Sequence, residues 1–514
     1  MPAIITDQYR ILNAETFIDS FVGIGTTGNN NYYSFLGHPN PKNISVRNYG
    51  TSDWGNPVPN PVDAFDQENF YYDSMLFLKK VTSNDVRRVV PRLDWQTGTI
   101  YEMYRNNYSS TNRTPQTKST TLYGSNYFVL NSEFNLYLCI NNGSNPDNPN
   151  GQKSLFEPTH TNTVPQEAGN GSDGYLWKYL YTISPSDIVK FVTTTYIPLP
   201  KKWGDATNSN IKDAAVDGKI ETVVIKNGGS GYSIDDSGTV SSTGTISGIP
   251  ITGDGTGGTV SVNINSGVVE SISGVVGGTG YTYASVRFES GTFGGKTLIV
   301  GTGAEFEVVI PPKGGHGADI YRELGGFRVM LYSKYDNNVD DVPDYVVGND
   351  FSRVGLVKNP LQFGGTDLLN NTTATNLSAL KLKPDASSGL TTSNVTYSPN
   401  TLITQTVGVG STAVGYVASW NPDTGILKYY QPVGFSTLSE YSYKKLDFVG
   451  LNTAITGGSP ENLVVDTSFN DKSSTVVGGK NVSLGQTFNL GKASPEIKKY
   501  SGEIIYIDNR APVT

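Results

Sequence analysis

The chain has one cysteine and three histidines in 514 residues, and only 16% of its residues are charged. One cysteine excludes an intrachain disulfide. Cys139 sits in the strand-like run FNLYLCINN and reads as a small core residue. His38, His160 and His316 lie in LGHPNP, PTHTNT and GGHGAD, turn-like contexts that mark each as a surface or loop residue. None has the spacing of a zinc site, so no metal and no cofactor is expected. Positive charge is scarce too. With 38 Lys+Arg against 46 Asp+Glu the net charge is −8, and the basic footprint of a nucleic-acid binder is missing. No stretch approaches the ~18 consecutive apolar residues of a membrane span, so no membrane partner is expected. The start, MPAIITDQYRILNAETF, lacks the basic, apolar and small-residue zones of a signal peptide. No G-x-S-x-G elbow supports serine hydrolase chemistry.

Glycine, tyrosine, threonine, serine and asparagine fill the space that charge leaves. There are 58 glycines and 31 tyrosines, a composition that suits short strands joined by polar turns rather than disorder. Residues 13–21, NAETFIDSF, predict a helix capped by Asn13, and 66–90 predict helical pieces with Ser83 as a cap. Strands are expected at 121–130, 134–140 and 175–183. Residues 211–310 hold 21 of the glycines and contain an internal repeat. GKIETVVIKNGGSGY (218–232) aligns without gaps on GVVESISGVVGGTGY (267–281), and each copy is followed by an echo, GTGGTVSVNI (255–264) and GTGAEFEVVI (301–310). Two copies are too few for a solenoid and predict a small β-module. A third regime, 366–486, contains VGYVASW-NPDTG-ILKYYQP, a hairpin around a Pro-Asp-Gly turn.

Two glycine motifs imitate nucleotide sites. GDGTGG (253–258) is followed by strand-like TVSVNI where a dinucleotide fold needs a helix. GTFGGKT (291–297) is one residue short of a phosphate loop and continues as LIVG. Asp336, Asn338 and Asp340 alternate in YDNNVDDVPDY, but the glycine and glutamate of a calcium loop are absent, so this is a solvated acidic turn.

Composition alternates along the chain, so the two glycine-rich blocks read as inserts in a discontinuous scaffold. The expected division is 1–210 (scaffold), 211–315 (repeat insert), 316–365 (scaffold), 366–486 (second insert) and 487–514 (closing strand). The closing stretch, SGEIIYIDNRAPVT, reads as a core strand covered on both faces. Ile504 and Tyr506 would share one face, Ile505 and Ile507 the other, and an aspartate at 505 is expected to abolish folding.

Five segments together resemble a known family. They are YRILNAETFIDSFVGIG, VVPRLDW (89–95), DGYLWKYLYTISP (173–185), NDFSRVGLVKNPL (349–361) and SGEIIYIDNRAPV. In order and spacing they resemble the baseplate wedge protein of T-even-type contractile-tailed bacteriophages, the subunit that dimerises within each wedge. Longer relatives from phages of marine cyanobacteria are the nearer likeness. The resemblance implies a two-layered β-sandwich with a small α/β subdomain. It also implies a structural role in the virion tail baseplate without catalysis, assembly in the host cytoplasm, and other wedge proteins as partners. Arg92, Asp94, Trp95, Asp173, Trp177, Asn509 and Arg510 are the motif residues expected to hold the core or the dimer together. The T-even relative has no counterpart to the two inserts, and it has a short further strand after its NRxP stretch, which the resemblance implies is either absent here or lies beyond Thr514. A receptor-binding or glycan-active tail appendage, with the inserts as binding modules, is the alternative. Surface tyrosines would suit the docking role of a baseplate subunit, although ordinary packing accounts for any one of them.

Overall fold

Runs rich in valine, isoleucine, threonine and tyrosine pair antiparallel throughout the computed structural model, which describes residues 6–21, 30–37, 71–72, 75–335, 351–431, 446–450 and 453–513. Strand makes up 43% and helix 9%, so the chain is mainly β, with sandwich-type packing of antiparallel sheets. Two compact units emerge, one from 1–18 and 86–330, the other from 19–85 and 331–514. The scaffold expected from composition is therefore shared between both units, because main-chain pairing, not glycine content, decides which segments fold together.

In the first unit a four-stranded sheet runs Phe128–Leu130, Asn135–Asn142, Tyr175–Thr182, Gln166–Glu167 in spatial order. Val86–Pro91 lies between Arg328–Leu331 and Tyr196–Pro198 in a three-stranded sheet. Residues 86–91 are thus a strand rather than the expected helix. Ser83–Asp85 forms one 3-10 turn before it, and β-branched Val86, Val89 and Val90 favour extended backbone once buried. Likewise only Phe128–Leu130 of the expected 121–130 strand is extended, Leu122–Gly124 being a 3-10 turn. The first helix spans Asp7–Asp19, starting a turn and a half before Asn13.

The repeat forms its own core of isoleucine, valine, one leucine and two tyrosines. Its topology is an exchange. The first copy's strand, Val223–Ser230, pairs with the second echo, Thr302–Val308, while the second copy's strand, Val268–Thr279, pairs with the first echo, Thr256–Asn265. The Tyr281 hydroxyl accepts from Gly258 N (3.1 Å) and donates to Ile251 O (3.0 Å), and Tyr232 accepts from Ala304 N (3.2 Å) at the matching place in the other copy. Gly229 and Gly278 have φ of 63° and 60°. A Cβ on either would lie within 2.4 Å of a carbonyl oxygen, Thr302 O or Thr256 O, so glycine is required twice for one reason. The literal GDGTGG and GTFGGKT matches are both hairpin turns: Asp254-Gly255 joins Gly244–Gly253 to Thr256–Asn265, and 291–293 pairs with 296–299 around Gly294-Gly295.

In the second unit five strands run Thr373–Thr375, Met75–Val81, Tyr32–Gly37, Phe351–Lys358, Glu503–Val513. The expected hairpin is present as Ser411–Asn421 and Ile426–Tyr430, inside a larger sheet that also takes Ser378–Lys383 and Lys492–Ala493. Pairing thereby crosses the expected insert boundaries at 366 and 486.

The closing strand does return to the scaffold sheet, but at its edge. A register shift between Leu356 and Val357 pairs Leu356 with Tyr506 and Val357 with Ile504, which leaves Ile505 in a bulge. Ile504 and Ile507 then pack on the core while Ile505 and Tyr506 are 39% and 52% exposed. The expectation that Ile505 is a core residue is overturned by that bulge. Ile505→Asp should therefore fold with a stability change within about 1 kcal/mol, whereas Val357→Asp, at a fully buried position, should fail to give soluble protein. Thermal denaturation of the first and soluble yield of both check this.

Candidate functional site

Five of the motif residues lie in the first unit, two of them, Asp173 and Trp177, in its core. Arg92 Nε donates to both carboxylate oxygens of Asp94 (2.8 and 3.1 Å), and Arg92 Nη1 donates to Thr193 O at 3.1 Å. Asp94 forms a parallel bridge with Leu130, and Trp95 N donates to Leu130 O at 2.8 Å. With the Asp94 side chain half exposed the ion pair contributes only ~0–1 kcal/mol; its main effect is to aim the chain at the four-stranded sheet. Trp95 Nε1 then donates to Ser154 Oγ at 3.0 Å. Asp173 is buried and accepts from Leu155 N (2.8 Å) and Tyr175 N (3.2 Å), which fastens the 154–155 loop to the 175–182 strand. Trp177 is fully buried, stacked on Tyr175 at 5.2 Å and edge-on to Tyr101 at 5.8 Å.

These contacts lie within one chain and make the five residues structural. Asn509 belongs to the edge strand, where it pairs in register with Arg353. The side chains of Asn509 and Arg510 lie outside the described residues, as do His38 and the acidic turn from Asp336 onward.

Tyrosine is largely an interior residue here. Tyr127, Tyr137, Tyr175 and Tyr181 are buried, and each donates its hydroxyl to a main-chain carbonyl, of Glu323, His160, Gln152 and Pro198 respectively. That pattern satisfies the polar end of a large apolar ring, and burial pushes all four phenols above their ordinary value. Cys139 is buried as expected, and burial raises its thiol well above the ordinary range, so it is unreactive.

His160 and His316 lie in loop and turn segments, but His316 is buried and His160 only partly exposed. Asn162 N donates to His160 Nδ1 (3.3 Å), so Nε2 carries the proton toward Trp177 O at 3.1 Å, and burial lowers its basicity. His316 is buried with its Nδ1 2.5 Å from Glu323 Oε1, and Tyr104 stands edge-on to the imidazole at 4.6 Å. Glu323 also accepts from Gly317 N at 2.8 Å. The pair clamps the return from the repeat module, a role invisible in GGHGAD because its partner lies seven residues on.

Three further carboxylates, Glu102, Glu307 and Glu221, escaped the sequence reasoning. Glu102 is fully buried and accepts from Gln116 N, Thr117 N, Thr117 Oγ1 and Asn126 N at 2.6–2.9 Å. Its signal was an acid between Tyr101 and Met103, two residues of the apolar core. Glu307, on the second echo strand, accepts from Arg105 (2.9 Å), Asn107 (3.3 Å) and Lys226 (2.8 Å), joining the module to the 101–125 segment. Lys178 and Glu221 form a second, more buried link at 3.2 Å, and Asn141 Nδ2 donates to Thr222 Oγ1 at 2.9 Å as a third. Among the described residues no cluster of three or more His, Cys, Asp or Glu is arranged to hold a metal ion.

Burial raises the Glu307 carboxyl, but Arg105, Lys226 and Asn107 outweigh it and hold the group below the ordinary glutamate range. A depressed carboxyl stabilises the fold above its unfolded value, near 4.3, and that contribution is lost as pH falls through the lower folded value. Urea denaturation between pH 6 and about 3 should show stability falling at the acid end, with the fall smaller in Glu307→Gln. Trp177→Ala should cost about 3–5 kcal/mol in the same assay, in line with emptying a packed aromatic site.

Compared with known proteins, the chain matches no family model and no curated protein sequence.

Proposed function

We propose that this chain is a structural subunit of a contractile phage tail baseplate. It would act without catalysis, link other wedge proteins during assembly, and be present as a homodimer within each wedge. The observation that carries this reading is the pairing of two resemblance segments about 150 residues apart. NDFSRVGLVKNPL and SGEIIYIDNRAPV lie side by side as antiparallel strands, from Phe351 opposite Val513 to Lys358 opposite Glu503. VVPRLDW and DGYLWKYLYTISP likewise build one core, so four of the five segments behave as framework rather than as loops. Framework residues of this kind are what a structural likeness needs to preserve.

The edge position of the 503–513 strand supports a docking role. Among the described residues its outer side is unpaired, and Ile505 and Tyr506 are exposed along it. An unpaired edge with apolar side chains invites another chain.

In tails purified from virions and gently disassembled, this chain should be found in the baseplate fraction. A tagged copy should co-purify with neighbouring wedge subunits and elute as a dimer by light scattering. Its absence from the virion, or its presence only in detachable fibres that bind host envelope glycans, would overturn the proposal.

A further inference from the structure

The second unit carries a ribbon that stands by itself. Lys472–Val477 and Lys480–Phe488 pair antiparallel with each other and, among the described residues, with no third strand. Gly478 and Gly479, with φ of 55° and 79°, supply the two positive-φ residues of the turn between them. The root is anchored. Leu484 and Phe488 are buried beside Phe469, and Gln486 Nε2 donates to Leu377 O (3.0 Å) and Ser494 O (2.7 Å). Beyond the root the ribbon stands clear. None of residues 471–483 is buried, and a Cβ on either turn glycine would meet no atom within 4 Å. Among the described residues no hydrogen bond or ion pair ties 473–483 to the rest of the chain.

Such a ribbon is an incomplete sheet, because two strands alone are marginal in water and three or more are needed to share a packed face. Its first strand contains Ser473-Ser474-Thr475-Val476-Val477, a run without charge or proline. Thr475 and Val477 share one face with Val482, while Val476 occupies the other and is 68% exposed. These β-branched side chains fit a packed sheet surface, and here solvent gives them no contact. Edge strands that stay single are guarded by charge, proline or a bulge. The guards here stand only at the ends. Lys472 and a register shift lie at the root, with Lys472 Nζ 5.2 Å from the Phe469 ring centroid, and Lys480 follows the turn. Between them the 473–477 edge offers roughly 17 Å of open main chain at ~3.4 Å per residue.

Charge and symmetry select the occupant. Residues 472–488 contain two lysines and no acid, so the open run offers a strongly charged strand no complement. Its own copy fits. A two-fold axis at Thr475, the centre of the run, sets the two edges antiparallel. Thr475 then faces its symmetry mate, Ser474 faces Val476, and Ser473 faces Val477. Lys472 falls opposite the turn glycine Gly478 and away from the other Lys472, which avoids the like-charge pairing that destabilises a ladder.

We propose that two copies of this chain associate through these ribbons, edge to edge about a two-fold axis, to form one continuous four-stranded sheet. Main-chain hydrogen bonds supply the contact, and the added strands bring the ribbon past the three-strand threshold. The pairing gives the homodimer proposed above a surface, without depending on the baseplate.

Light scattering of the full-length chain tests it. The parent should associate. Thr475→Lys and Thr475→Glu should each halve the mass, because each sets like charges at the axis, and their equimolar mixture should restore it. Both variants should keep the parent melting temperature, since Thr475 lies outside the core. With Cys139 buried, Ser474→Cys, Thr475→Cys and Val476→Cys report the register, and mild oxidation should join two chains at one of them. A monomeric parent, a mass unmoved by the charged substitutions, a mixture that stays apart, or no cross-link at all three positions overturns the proposal. A dimer held by another surface would sink this inference and leave the baseplate reading standing; absence from the virion with ribbon pairing intact would do the reverse.

Discussion

Main-chain pairing between segments remote in sequence is the constraint on which this structure rests. The five-stranded sheet draws on residues 32–37, 75–81, 351–358, 373–375 and 503–513, and removing any inner member would leave two rows of buried N–H and C=O groups unpaired. Side chains fill the spaces that this pairing defines. The aromatic core around Trp177 packs only because the 135–142 and 175–182 strands hold Tyr137 and Tyr175 in fixed register. Such long-range pairing delays the reward for ordering the chain, since loops must close before contacts form.

Several buried or half-buried polar groups inside the first unit follow a second rule, being bound by a neighbour supplied by a different segment. Glu102 collects donors from the 116–126 loop, Glu323 meets His316, and Glu307 meets Arg105 and Lys226. These links do little for gross stability where they are exposed, but buried ones punish any other arrangement of the same chain. The repeat module is held against its neighbours by these links and by Val224 and Val309, which join the aromatic core. Its own core is nearly all isoleucine and valine.

Much of the fold was legible in the sequence, and the misses share a cause. The 135–142, 175–182 and 411–430 elements follow from local alternation and turn chemistry, and the repeat from self-similarity. The helix expected over 86–90 failed because Asp-Val-Arg-Arg-Val-Val offers a capping pattern whose β-branched residues are decided by tertiary burial. The face assignment at 504–507 failed because a bulge is a property of the pair, set by where Leu356 and Val357 lie opposite it. Among the motif residues Trp177 and Asp173 are buried, while Arg92 and Trp95 are partly buried and Asp94 is exposed. Glu102, Glu307 and Glu221 were missed because their partners lie far along the chain, where a single sequence carries no signal of contact.

The exchanged echoes have a temporal meaning as well as a spatial one. The first copy's strand ends at Ser230, but its pairing partner ends at Val308. During synthesis that strand must wait for roughly eighty more residues, on the order of 4–16 s at ordinary translation speeds. The second copy's partner, Thr256–Asn265, already precedes it on the chain, so the later repeat closes first. Order of emergence and order of closure are thus inverted. Neither copy could be lost alone without stranding the half of its sheet that the other provides.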